Sequence, residues 1–147
     1  MFQFDLEAVL NYRLQLEEQC QLSLAEAMKN LRVAMDVLEA LQKEKNDLIR
    51  HLAKMQENAL TSDIIARHFI FIEFLKSKEE KQEAVIMNMR EEVSARRHDL
   101  LEAVKKRKVM DALQEKKKAA YISEMSVKDR KELDDFTVIK FGNGMRK

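Results

Sequence analysis

The stretch "LAEAMKNLRVAMDVLEALQKEKNDLIRHLAKM", residues 24–55, repeats an apolar residue at alternating steps of three and four. Leu24, Ala27, Leu31, Ala34, Leu38, Leu41, Leu48, Leu52 and Met55 carry the pattern, Ala59 continues it, and Lys45 is its one polar interruption. Such steps hold side chains on one narrow stripe of an α-helix, the mark of a coiled-coil seam. Extended backwards, the stripe meets Cys20, Glu17, Arg13, Leu10 and Leu6, so it thins without vanishing.

A second series with the same spacing runs Ile65, His68, Ile72, Leu75, Glu79, Gln82, Ile86, Met89, Val93, Arg96, Leu100, Ala103, Arg107 and Met110. Between the two lies "ENALTSDII", where Thr61, Ser62 and Asp63 offer helix-capping oxygens. The expected fold is all-α, a long antiparallel two-helix coiled-coil hairpin. Helix one takes residues 1–57, a turn 58–63, helix two 64–136, and a flexible tail 137–147, with Gly142 ending regular structure.

Across an antiparallel hairpin, facing positions sum to a constant, about 120 for this turn. Met55 then faces Ile65, Leu48 faces Ile72, Ala34 faces Ile86, Ala27 faces Val93 and Leu10 faces Met110. The exceptions cluster: Leu38 falls opposite Gln82, Leu41 opposite Glu79 and Lys45 opposite Leu75, while Arg13 meets Arg107 with Glu17 near enough to compensate. Exposed pairs such as Glu39 with Lys43, Glu92 with Arg96, Glu102 with Lys106 and Glu124 with Lys128 add ~0.2 to 0.5 kcal/mol each.

Composition agrees with few turns and long helices. Among 147 residues there is no Pro or Trp, and the two Gly are at 142 and 144. Charged residues reach 36% and aromatics only 6%, too few for a broad core. With 27 basic and 26 acidic residues interleaved, the chain lacks the one-signed face of a nucleic-acid or anionic-membrane binder. The runs "KKRK" at 105–108 and "KKK" at 116–118 read as solvated helix faces. A lone Cys20 permits no internal disulfide, and "FIFIEFL" at 69–75 is far too short to span a bilayer. The opening "MFQFDLEAVL" has no basic n-region or cleavage site, so it reads as mature protein and not as a signal peptide.

The register leaves residues after about 119 with no helix to lean on. That overhang carries Tyr121, Ile122, Met125, Val127, Leu133, Phe136, Val138, Ile139 and Phe141, and an unpaired apolar stripe implies self-association or docking. Near the turn, Phe71 and Phe74 share a face with Lys78; they either tuck over the hairpin's tip or offer a second docking patch.

Catalytic signals are missing. His51, His68 and His98 are scattered without metal-ligand spacing, no glycine-rich phosphate loop exists, and a two-helix hairpin has no cleft in which to desolvate a carboxylate pair. Neither an enzyme nor a cofactor is expected.

The opening "FQFDLEAVLNYRLQLEEQ" followed by "LSLAEA" resembles the N-terminus of the FliJ family of bacterial flagellar type III export proteins. Phe4, Leu6, Val9, Leu10, Arg13, Glu17 or Glu18, Leu24 and Ala25 carry the likeness, with "RHFIFIEFLKSKEEK" at 67–81 and "KDRKELDDF" at 128–136. The resemblance implies a non-catalytic stalk, similar to the central stalk of rotary ATP synthases. It would assist a hexameric export ATPase (FliI-like), contact the export gate (FlhA-like) and help cycle substrate chaperones. It would sit in the cytoplasm, peripherally on the inner membrane at the flagellar base. The candidate ATPase-binding residues are Phe2, Phe4, Tyr121, Ile122, Met125, Leu133 and Phe136. The candidate gate-binding residues are Phe71, Phe74 and Lys78. Some members carry tyrosines on the gate side of helix one; here that stretch is "QKEKNDLIR". Two other readings stand beside this one: a scaffolding coiled coil that self-associates through the overhang, and an adaptor that binds nucleic acid through "KKRK".

Overall fold

The computed structural model describes residues 2–57 and 61–145. They form two helices, α1 (Glu7–Glu57) and α2 (Ser62–Met145), with no strand among the described residues and helix–helix contacts consistent with a hairpin. Residues 58–60, half of the expected turn and including seam position Ala59, lie outside the described residues, as do 146 and 147 of the expected tail.

α1 starts at Glu7 and not at the first residue. The Glu7 amide donates to the Phe4 carbonyl at 3.1 Å and the Leu10 amide to Leu6 at 3.0 Å, which closes the entry turn. Glu7 in the first turn and Lys54 in the last both complement the helix dipole. Thr61 precedes α2, and its carbonyl accepts from the Ile65 amide at 3.3 Å.

At the other end α2 outruns its expected limit at residue 136 and passes through Gly142 and Gly144 to Met145. A glycine costs a helix only ~0.5 to 1 kcal/mol relative to alanine and introduces no clash, so the preceding helix can continue through it. Gly142 is therefore no stop.

The chain divides into two compact units, Glu18–Leu101, and Met1–Glu17 together with Glu102–Lys147. In Glu18–Leu101 the core is Ala27, Ala34 and Leu52 from α1 against Ile72, Leu75, Ile86 and Val93 from α2, with Leu75 the most enclosed at 2% exposure. Among the described residues, seam positions of both series in this unit are buried or half-buried, with one exception. Arg96 is exposed and pairs with Glu92 of its own helix at 2.7 Å, because burying a guanidinium without a partner costs more than the seam would gain.

The polar layers are paired otherwise than the register expects. The half-buried Lys45, which the register sets opposite Leu75, bonds the buried Glu79 one turn along at 2.9 Å. A lysine stem can lean a full helical turn to reach a carboxylate. Gln82 likewise passes Leu38 and donates its Nε2 hydrogen to the Ala34 carbonyl at 2.8 Å. His68 is half-buried, its Nδ1 donating to the Ile64 carbonyl at 2.9 Å and its ring stacked on His51 at 6.2 Å.

In the other unit Phe4 and Leu10 are buried, and Phe2 packs on Tyr121 with ring centres 5.5 Å apart. The Lys117 ammonium sits 5.9 Å from the Phe4 ring. Glu17 accepts two hydrogen bonds from Arg107, at 2.7 and 3.3 Å, so the expected compensation is present. Asp111 takes a third at 2.7 Å. These bonds, to Glu17 first and Asp111 second, raise the Arg107 pKa above the ordinary guanidinium value.

Of the expected surface pairs only Glu92 with Arg96 forms; Glu102 turns to Lys105 at 3.4 Å instead of Lys106. Glu39 with Lys43 and Glu124 with Lys128 form no bridge among the described residues.

Candidate functional site

Two exposed apolar surfaces stand out, one in each unit. The first belongs to the start of α2. Ile72 and Leu75 turn into the seam and are buried, which leaves the residue before each of them on another face of the helix. Phe71 and Phe74 are exposed at 43% and 51%, with ring centres 6.0 Å apart. Lys78 lies one turn on, its ammonium 4.7 Å above the Phe74 ring, within cation–π range. The three expected gate residues therefore form one patch, and its rings are not tucked away. Ile70, 70% exposed and one turn before Phe74, widens it; its sequence signal is simply an isoleucine off the seam.

The second surface is the later part of α2. Every residue from 122 to 139 is exposed, and among them are Ile122, Met125, Leu133 and Phe136. Separations of three, eight and three residues place these four on one side of the helix. Val127, Val138 and Ile139 are also exposed, which makes the segment apolar on more than one side. The three remaining residues of the expected set are placed differently. Tyr121 and Phe2 are half-buried on each other, and Phe4 is 6% exposed, so its ring is used inside the chain.

The basic runs are partly absorbed by the fold. Lys105 pairs with Glu102, Arg107 with Glu17 and Asp111, and Lys117 lies over Phe4. No cluster of three or more His, Cys, Asp or Glu side chains among the described residues could hold a metal ion. No helix there is long and apolar enough to cross a membrane.

The family model described as "Flagellar FliJ protein" matches residues 2–146. The chain belongs to the FliJ family. Neither a curated protein nor a solved structure matches it. As a FliJ-family chain it is a component of the flagellar protein export apparatus, a non-catalytic one, built as a helical coiled coil. Both apolar surfaces fall inside the matched residues, so the family match covers the parts of α2 that carry the most unpartnered hydrophobic side chains.

Proposed function

We propose that this FliJ-family chain is a stalk and export chaperone that promotes assembly of the hexameric export ATPase and couples it to the export gate. The observation that carries the reading is the run of exposed side chains from 122 to 139. It leaves Ile122, Met125, Leu133 and Phe136 exposed on a long helix with no covering partner among the described residues, at an energetic cost that a partner would relieve. These four residues are the proposed ATPase contact, with Phe2 and Tyr121 at its base. Phe4, at 6% exposure, is left out of the proposed contact because its ring is already enclosed.

Phe71, Phe74 and Lys78 are the proposed gate contact: two rings and an ammonium suit a partner with an aromatic or apolar side chain flanked by carboxylates. Substrate chaperones complete the proposed partners. The chain would act at the cytoplasmic face of the inner membrane, held there by these proteins and not by a span of its own.

ATP hydrolysis by the purified export ATPase, measured with and without the chain, tests the reading. Full-length protein should stimulate it, and a version ending at residue 120 should not. Equal stimulation by the truncated protein would refute the ATPase contact. A scaffolding role without an ATPase partner predicts no stimulation by either.

A further inference from the structure

A groove runs along one side of the seam within Glu18–Leu101, and neither proposed contact uses it. Leu31, Leu38, Ile86 and Val93 line its floor, and Met28, Met35 and Met87 stand on its rims. The methionines are 45%, 44% and 65% exposed. Met28 and Met35 directly follow the seam residues Ala27 and Ala34, so α1 presents three apolar positions per heptad here. Two are enough for a two-helix seam; three is the face of a helix in a larger bundle.

The charges on the rims select the occupant. On α1, Arg32 comes before Asp36 and Glu39; on α2, Glu83 comes before Arg90 and Arg97. Within this unit the helices run in opposite directions, since Ala34, Lys45 and His51 meet Gln82, Glu79 and His68 in descending order. The arginines therefore gather at one end of the groove and the carboxylates at the other, with Met35 and Met87 between them. None of the six charged groups makes a salt bridge among the described residues.

A partner of one charge sign would satisfy one end and repel the other. A second copy of this chain, related by a two-fold axis through the methionines, sets basic on acidic at both ends. We propose that this groove is a self-association face. Two copies pack antiparallel over Met35 and Met87, with Arg32 and Arg90 of each opposite Asp36, Glu39 and Glu83 of the other. Methionine side chains adapt readily to such a contact. From Met28 to Gln42 the rim is only ~21 Å long, shorter than a standard interface, so the dimer dissociates on dilution.

Sedimentation equilibrium of the full chain across a concentration series, with circular dichroism confirming equal helicity of all variants, tests this. The expected result is a monomer–dimer equilibrium that weakens about tenfold with Arg90→Glu, since each substitution breaks two symmetry-related contacts. Adding Glu83→Lys to the same chain should restore it, because the pairing crosses the axis. Removing residues 121–147 should leave it unchanged.

A monomer at every concentration would overturn the proposal and leave the groove to another protein. So would a dimer indifferent to Arg90→Glu, or one lost with residues 121–147. The inference does not depend on the export reading: a monomer that stimulates the ATPase refutes only the dimer, and a dimer that does not stimulate it refutes only the ATPase contact.

Discussion

Lys45 and Glu79 show how a polar break in an apolar seam is resolved. Glu79 is buried, one carboxylate oxygen bonds Lys45 at 2.9 Å, and the other has no partner among the described residues. Removing the lysine alone strands a buried charge, whereas removing both charges leaves an apolar layer. Lys45→Met should therefore destabilise by about 1 to 3 kcal/mol in urea denaturation, and Lys45→Met with Glu79→Leu should recover or exceed the original stability. Recovery would identify the pair as a device for fixing register and not a source of stability. Arg107 behaves differently. Its pKa is raised on folding, so its contribution is complete below the ordinary guanidinium value and is lost only as pH climbs beyond it. Thermal unfolding of Arg107→Gln should show a lowered midpoint whose deficit does not shrink from raising the pH toward 9 through any titration of Arg107 itself. The sequence places both features in weak layers. It misplaces the Lys45 partner by one turn, because a register derived from Cα positions ignores how far a long side chain can lean.

At the level of the helix, α2 gives neighbouring residues opposite roles. Leu75→Ala should cost ~2 to 5 kcal/mol, since Leu75 is 2% exposed and its truncation removes buried methyl groups and opens a cavity. Phe74→Ala, one residue away, should change stability by no more than about 0.5 kcal/mol, because half of its surface already faces water. Its effect should appear instead as weaker gate binding in a pull-down. The spacing of three and four is enough to make this division legible in the sequence, and it correctly sets Ile72 and Leu75 against Phe71 and Phe74. Two features escape that spacing. Arg96 occupies a seam position yet faces water, since side-chain charge overrides periodicity where no carboxylate waits across the seam. The sequence also ends α2 too early, because glycine and a weakening pattern resemble a stop, although the helical cost of two glycines is small.

For the molecule as a whole, family membership and two helices of unequal length set the frame: 51 residues in α1 against 84 in α2. The opening phenylalanines illustrate what this arrangement does to a sequence feature. Phe2 rests on Tyr121 and Phe4 is enclosed, so the greasy start closes over α2, while Ile122, Met125, Leu133 and Phe136 further along that helix stay exposed. The two proposed contacts fall in different units of the chain, as a protein that links two partners requires. Photo-crosslinking in the assembled export apparatus, with a photoreactive amino acid replacing Phe136 in one variant and Phe74 in another, tests this assignment most directly. Crosslinks from position 136 to the ATPase and from position 74 to the gate protein are the expected result. Crosslinks in the reverse order, or none to the ATPase from position 136, would contradict it.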